Sequence, residues 1–146
     1  MKALIQVVEE AEVRVEEKVE GSINYGMLIF LGVKQGDERE DVDELVDSIL
    51  NLRIFPDEEG KMNLSIGEVE GEALIVSQFT LYGQLTSGRR PNFSMAGGYD
   101  KSKELYREFV DRINEKHPYR VQSGKFGSYM KVNLTNDGPI TFSLES

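Results

Sequence analysis

Four consecutive residues, Ser77-Gln78-Phe79-Thr80, carry the polar groups best placed for chemistry in this sequence. They follow an apolar run at residues 73–76, so hydroxyl and amide groups occur where a predicted strand leaves the core. If the strand continues, its pleat places Ser77 and Phe79 on one face and Gln78 and Thr80 on the other. The same pattern is typical of an ordinary strand that runs into a turn. This segment alone therefore assigns no function.

A second polar segment, Asn136-Asp137-Gly138-Pro139, separates two predicted strands at residues 129–134 and 140–144. Its residue types are typical of a turn. The bond before a proline can be cis at a cost of about 0.5–1 kcal/mol, and the sequence leaves both isomers open. By residue type alone, this segment too predicts only a turn.

The composition removes the usual catalytic groups. Without cysteine there is no thiolate nucleophile, no disulfide and no cysteine-ligated zinc. The single histidine, His117, lies at the predicted C-terminal end of a helix, where its side chain interacts favourably with the helix dipole. A Ser-His-Asp arrangement would have to use it. The acidic clusters lack the spacing of a calcium loop, and we expect neither a metal nor a cofactor.

The net charge of −9 is unevenly distributed. Residues 1–72 hold 19 of the 26 acidic residues, whereas residues 73–146 hold 10 of the 17 basic residues. The basic residues of interest in this second half are Arg89, Arg90, Lys101, Lys103, Lys125 and Lys131. A local basic face can steer a polyanion because salt screens charges beyond about 8 Å. The charge therefore permits RNA binding without indicating it, and a solvated surface explains it equally simply.

Hydrophobic periodicity predicts the elements that must position these residues. Strands are predicted at residues 2–8, 12–16, 27–31, 73–76, 129–134 and 140–144, helices from residue 37 onward and at 101–116, turns at 21–26 and 56–60, and a long loop at 83–98. This order predicts an α+β fold, with a mainly antiparallel, mixed or barrel-like sheet covered by two main helices in a single domain, residues 1–146. No apolar stretch has the length of a secretory signal or a membrane span, so we expect a cytoplasmic protein.

The two polar segments resemble the two signature motifs of the D-aminoacyl-tRNA deacylases, also called D-tyrosyl-tRNA deacylases. The motifs are Ser77-Gln78-Phe79-Thr80-Leu81 and Asn136-Asp137-Gly138-Pro139-Ile140-Thr141. Further segments in that family's order and spacing are Ala3-Leu4-Ile5-Gln6, Leu31-Gly32-Val33, Arg53-Ile54-Phe55, Gly60-Lys61-Met62-Asn63-Leu64, Arg90-Pro91-Asn92-Phe93-Ser94 and Gly124-Lys125-Phe126-Gly127. The resemblance spans essentially the whole chain.

The resemblance implies a homodimer that hydrolyses the ester between a D-amino acid and the 3′-terminal adenosine of tRNA, with active sites at the subunit interface. Many such enzymes also remove glycine mischarged on tRNA(Ala). Ser77, Gln78, Phe79 and Thr80 would line the pocket around the adenosine and the ester, without a cofactor. The Gly138-Pro139 bond would be cis and enter the partner's pocket, where its carbonyls bind the α-amino group and exclude L side chains.

One position departs from the family's pattern. Many members have an arginine directly after the Ile-Gln of the first strand, where it supports the Gly-Pro segment, and this chain has Val7. The resemblance therefore leaves open how Gly138-Pro139 is anchored here.

An activated ester needs less catalytic help than an amide. Backbone N–H groups near Phe79 and Thr80 can form an oxyanion hole, and one such donor contributes about 2.7–4 kcal/mol. Thr80 as a nucleophile would need a nearby base, and the sequence offers none. We therefore expect attack by water, assisted by the 2′-hydroxyl of the terminal ribose.

Three alternatives remain at this point. A non-catalytic tRNA-binding module of the same fold would bind aminoacyl-tRNA without turnover. An editing domain specialised for one amino acid, as in similar folds appended to some archaeal threonyl-tRNA synthetases, is disfavoured by the intact Gly138-Pro139. A small structural or interaction protein explains the composition but not both motifs.

Overall fold

The computed structural model describes residues 1–85 and 88–146. This part of the chain contains eight strands, two α-helices and one short 3₁₀ helix. The strands are β1 (Lys2–Val15), β2 (Lys18–Ile23), β3 (Gly26–Gly32), β4 (Phe55–Pro56), β5 (Met62–Leu64), β6 (Glu72–Ser77), β7 (Val121–Ser123) and β8 (Lys131–Glu145). The helices are α1 (Arg39–Leu50), α2 (Tyr99–Lys116) and a short 3₁₀ helix (Phe79–Tyr82). Within these ranges no helix has the length and apolar character needed to cross a membrane.

Six of the strands form one mixed, nearly closed sheet. Its order is β2-β1-β3-β6-β7, and β8 pairs with β1 along almost its whole length. The pairs of β1 are antiparallel, whereas β3–β6 and β6–β7 are parallel. The two ends of the order approach each other, because a β-carbon on Gly21 of β2 would lie 3.2 Å from the Ser123 carbonyl oxygen of β7. The predicted α+β class, with a barrel-like sheet and two helices, is confirmed.

The pleat of the sheet divides the core into two clusters. On one face lies the first and larger cluster, which we call the main core cluster. In it, alternate residues of β1, β3 and β6 pack against α1 and α2, with Phe109 and Leu45 among the fully buried helix residues. On the other face, a smaller cluster around Leu28 and Leu74 is covered by the first part of β8. The apolar stripes of both helices face the first cluster, as their spacing predicts. The core thus fixes β6, which carries the first polar segment.

Two pairs of predicted strands and two predicted turns differ from the structure. The strands predicted at residues 2–8 and 12–16 form one strand, β1, and those predicted at 129–134 and 140–144 form another, β8, which begins only at Lys131. The predicted turn at 136–139 is wrong as a chain reversal, because both flanks of it pair antiparallel with the same continuous β1. The predicted turn at 21–26 overlaps β2, which pairing with β1 holds extended.

The predicted loop at 83–98 contains no helix or regular strand in its described parts. Gln84 and Asn92 exchange backbone hydrogen bonds of 2.8 and 2.9 Å, so the segment folds back on itself. Residues 86–87 of this predicted loop lie outside the described residues.

Candidate active site

Strand β6 delivers the first polar segment to the edge of the sheet. Ser77 is its last residue and pairs with Leu31 of β3, and the Gln78 N–H then donates 2.8 Å to the Leu31 carbonyl. Beyond Gln78 the chain leaves the sheet and enters the 3₁₀ helix. The predicted alternation of Ser77 to Thr80 across a pleated strand is therefore wrong after Ser77. The turn brings polar groups to one end of the sheet.

These residues border a cavity of about 730 Å³. Its lining includes Ser77, Gln78 and Phe79, the start of α2, and residues 126–130. The further lining residues are Leu31, Val33, Val76, Ala96, Gly97, Tyr99, Ser102, Tyr106 and Val132. Most of this lining is apolar, with a few hydroxyl and amide groups, as is usual for a small-molecule site.

Phe79 and Thr80 are both exposed, but only Phe79 lines the cavity. Phe79 is 59% exposed, and its ring packs edge-on against Phe93 with centroids 5.0 Å apart. Thr80 is exposed and outside the cavity lining, and its hydroxyl accepts a hydrogen bond from the Gln78 side-chain amide. The structure therefore brings Ser77, Gln78 and Phe79 together and leaves Thr80 beside them.

Tyr106 of α2 connects two segments that contribute to the cavity lining. Its hydroxyl lies 2.9 Å from the carbonyl oxygen of Ile75 in β6 and 3.3 Å from that of Gly124, which precedes the lining residues 126–130. Burial raises the pKa of the Tyr106 phenol above its ordinary value, so the group remains a neutral donor. Sequence periodicity places Leu105 and Phe109 in the buried stripe but gives no signal for this hydroxyl.

Tyr106→Phe should lower the free energy of unfolding by about 1 kcal/mol, the net contribution of a typical hydrogen bond. Denaturant unfolding measures this, with Tyr119→Phe as the control because Tyr119 lies outside the cavity lining. An unfolding free energy equal to that of the wild type would show that the hydroxyl contributes no stability.

The single histidine is remote from this site. His117 caps the C-terminus of α2, as predicted, but it is buried, and its Nε2 lies 2.8 Å from the Gly71 carbonyl oxygen. Gly71 precedes β6, whereas Ser77 ends it, so the two ends of that strand are about 17 Å apart. His117 therefore cannot act as a base for Ser77.

The second polar segment forms a bulge in β8. Val8 of β1 pairs with Asn136 and Gln6 with Thr141, so one β1 residue faces residues 137–140. We call these four residues the bulge. The Gly138–Pro139 bond within it is cis, and Gly138 has a φ of 121°. An extra stretch opposite a single partner residue projects from the strand and interrupts its ladder.

The bulge does not border the cavity of its own chain. The β1 residue opposite it, Val7, pairs with Met27 of β3, which pairs with Ala73 of β6. Ala73 precedes Ser77 by four residues, an offset of about 13 Å along the strands. Within one chain, the structure thus leaves Gly138 and Pro139 apart from Ser77, Gln78, Phe79 and Thr80.

Comparison with known proteins decides the family. Residues 4–145 match the family model described as D-Tyr-tRNA(Tyr) deacylase. This chain belongs to that deacylase family. A relative from Thermotoga petrophila, named D-aminoacyl-tRNA deacylase, is 51% identical over all of this chain and 97% of its own length. The family and the class of enzyme expected from the sequence, an aminoacyl-tRNA ester hydrolase, are confirmed.

Two solved structures resemble this deacylase family member over nearly their full lengths. The c-Myc DNA Unwinding Element Binding Protein is 36% identical, with a TM-score of 0.95 over 100% of this chain and 99% of that chain. A probable eukaryotic D-amino acid tRNA deacylase is 20% identical, with a TM-score of 0.85 over 99% of this chain and 98% of that chain. The second likeness shows the shared fold.

The six basic residues singled out in the sequence of this deacylase family member differ in their surroundings. Lys101 forms an ion pair of 2.8 Å with Glu38, and Lys131 one of 2.6 Å with Glu17. Lys103 Nζ lies 5.9 Å from the ring centroid of Tyr99, which lines the cavity. Arg89, Arg90 and Lys125 are exposed. Lys103 and Lys125 therefore place positive charge next to the cavity lining, although the whole chain is acidic.

Proposed function

We propose that this protein hydrolyses the ester that joins a D-amino acid to the 3′-terminal adenosine of tRNA, and that it also removes glycine mischarged on tRNA(Ala). The observation that carries the proposal is the cavity at the end of β6, bordered by Ser77, Gln78 and Phe79 in a member of the deacylase family. Residues 1–146 act as one deacylase domain in the cytoplasm, where aminoacyl-tRNA is used.

The proposed reaction uses water, the substrate and the backbone. A water oxygen attacks the ester carbonyl carbon, the bond from that carbon to the 3′-oxygen breaks, and a proton passes through the 2′-hydroxyl to the departing oxygen. Phe79 begins the 3₁₀ helix, and the first N–H groups of a helix lack acceptors within it. The N–H groups of Phe79 and Thr80 are therefore the proposed donors to the oxyanion.

A second copy of the chain completes the proposed site. Gly138 and Pro139 are exposed, and the bulge lies about 13 Å along the strands from the level of Ser77 in the same chain. In the described part of the chain β8 pairs only with β1, which leaves a long strand edge free for another chain. A homodimer in which each bulge enters the partner's cavity would satisfy both observations.

Selection between D- and L-amino acids would then be steric. The carbonyls of Gly138 and Pro139 accept hydrogen bonds from the substrate's α-amino group, and the remaining space at the α-carbon has no room for an L side chain. Such a pocket measures the α-carbon rather than the side chain, so it accepts many D-amino acids and glycine. This selectivity separates the proposal from an editing domain built for one amino acid.

Matched D-Tyr-tRNA and L-Tyr-tRNA test the proposed function. Wild-type protein should release D-Tyr and D-Asp from tRNA while L-Tyr-tRNA survives at the same enzyme concentration. Release of free amino acid is measured over time against a reaction without protein. Binding of D-Tyr-tRNA without turnover would instead support the non-catalytic tRNA-binding module, and appreciable hydrolysis of L-Tyr-tRNA would contradict chiral selection.

A further inference from the structure

The bulge leaves a gap in the ladder between β1 and β8. Val7 of β1 faces four bulge residues, so regular backbone pairing between these two strands is interrupted at this point. The side chain of Asn136, the residue just before the bulge, fills the gap. Its Nδ2 donates 2.8 Å to the Val7 carbonyl oxygen.

The same amide also reaches across the base of the bulge. Asn136 Nδ2 donates 3.0 Å to the carbonyl oxygen of Ile140, the last bulge residue. An asparagine amide carries two hydrogens, so one nitrogen can satisfy both carbonyls. The Ile140 side chain packs against the main core cluster, which holds the far end of the bulge. Both ends of the bulge are thereby fixed to β1 and to the core.

We propose that Asn136 is a positioning residue for chiral selection, because its amide closes the base of the bulge and so holds Gly138 and Pro139 in the shape that the partner's cavity receives. This inference rests on the proposed function for its catalytic consequence. The hydrogen bonds themselves are independent of that function.

The two hydrogen bonds from the Asn136 side chain, which we call the anchor, also explain how the bulge can be held although this chain has Val7 where many family members have an arginine. Asn136 contacts the backbone carbonyl of Val7, and every residue type supplies that carbonyl. The Val7 side chain is fully buried in the main core cluster. An arginine side chain at this position is therefore not required to hold the bulge in this chain.

Two substitutions remove the anchor in different ways. Asn136→Ala deletes both donors and leaves two carbonyls without this partner. Asn136→Asp keeps the shape but, when ionised, faces both carbonyl oxygens with an acceptor, which is repulsive. Asn133→Ala is the matched control, because Asn133 is exposed on the same strand and lies outside the bulge.

Two measurements are made on the full-length protein. The ratio of D-Tyr-tRNA to L-Tyr-tRNA deacylation should fall about tenfold or more in Asn136→Ala, since losing about 1.4 kcal/mol of hydrogen bonding changes an equilibrium tenfold. Amide hydrogen exchange at position 136 and at Thr141, the β8 residues that pair with β1 on either side of the bulge, should become faster by a similar factor. Asn136→Asp should show the larger change in both, and Asn133→Ala none.

Each result decides the inference. A folded Asn136→Ala protein with the wild-type ratio and wild-type exchange would overturn it, and so would an equal loss of D- and L-cleavage, which indicates a structural role only. If alanine prevents folding, Asn136→Ser decides instead: its hydroxyl can serve one carbonyl, so an intermediate ratio supports the anchor and a wild-type ratio overturns it. If the wild type cleaves no D-Tyr-tRNA, the proposed function fails, while the exchange rates still test the anchor.

Discussion

Gly138→Ala should lower kcat/KM for D-Tyr-tRNA deacylation about 100-fold while the protein remains folded. Gly138 has a φ of 121°, which L side chains rarely adopt, and an added β-carbon would lie 2.4 Å from Ile140 Cγ1 and 2.8 Å from the Ile140 backbone nitrogen. The backbone contact cannot be relieved by a side-chain rotation, so the bulge must change shape. Strain of this kind costs about 1–3 kcal/mol, and about 2.7 kcal/mol corresponds to 100-fold.

The matched control is Gly60→Ala. Gly60 also has a positive φ, 75°, but a β-carbon there would meet no described atom within 4 Å. It therefore tests the effect of backbone strain alone, away from the bulge. Steady-state deacylation and thermal unfolding are measured for both variants, and Gly60→Ala should keep wild-type activity. Wild-type kcat/KM in a folded Gly138→Ala protein would contradict a role for the bulge in substrate binding.

The core and the helices could be predicted because their signals are local. The apolar run at residues 73–76 lies in β6, and the spacing of Val42, Leu45 and Ile49 places them on the buried face of α1. Periodicity of this kind depends only on neighbouring residues and on which face of an element is buried. The position of Ser77 at the end of a buried strand followed from the same signal.

The bulge could not be predicted from local signals. The segment Asn136-Asp137-Gly138-Pro139 has the residue types of a turn, and only its pairing with β1, more than a hundred residues earlier, keeps the chain running in one direction. The contacts of Asn136 with Val7 and of Tyr106 with Ile75 are likewise distant in sequence. The residue types of segment 136–139 indicate a turn, and periodicity gives no signal for the Tyr106 hydroxyl. Only contacts with residues distant in sequence make the segment a bulge in a strand and give Tyr106 its hydrogen bond.

The separation of the two motifs within one chain has a physical consequence. A bulge on an exposed edge strand can approach a second molecule without disturbing the core, because its two ends are fixed while Gly138 and Pro139 project. None of the four bulge residues lines the cavity at the end of β6, although Val132 of the same strand does. In the proposed dimer, substitutions in the bulge should therefore alter substrate binding and selectivity, whereas substitutions along β6 should alter the chemical step.

Removing the 2′-hydroxyl of the terminal adenosine should have the largest effect on that chemical step. D-Tyr-tRNA ending in 2′-deoxyadenosine should be hydrolysed about 10²–10⁴-fold more slowly than the ribose substrate, the usual contribution of a positioned acid–base group. The rate of each substrate without protein is measured in parallel, because the hydroxyl also affects spontaneous hydrolysis. The acceleration over that background is the quantity to compare.

Thr80→Ala should by contrast retain activity within about tenfold of wild type, because the proposed chemistry uses the Thr80 N–H and not its hydroxyl. That hydroxyl is exposed and accepts a hydrogen bond from the Gln78 amide, and His117 contacts Gly71 at the other end of β6. In the described part of the chain, therefore, no histidine can deprotonate it. Normal cleavage of the deoxy substrate together with loss of activity in Thr80→Ala would make Thr80 the nucleophile. Uncharged tRNA ending in 2′-deoxyadenosine is also tested as a competitive inhibitor of D-Tyr-tRNA deacylation. If its inhibition constant equals that of uncharged tRNA with the ribose end, the deoxy substrate fails in the chemical step and not in binding.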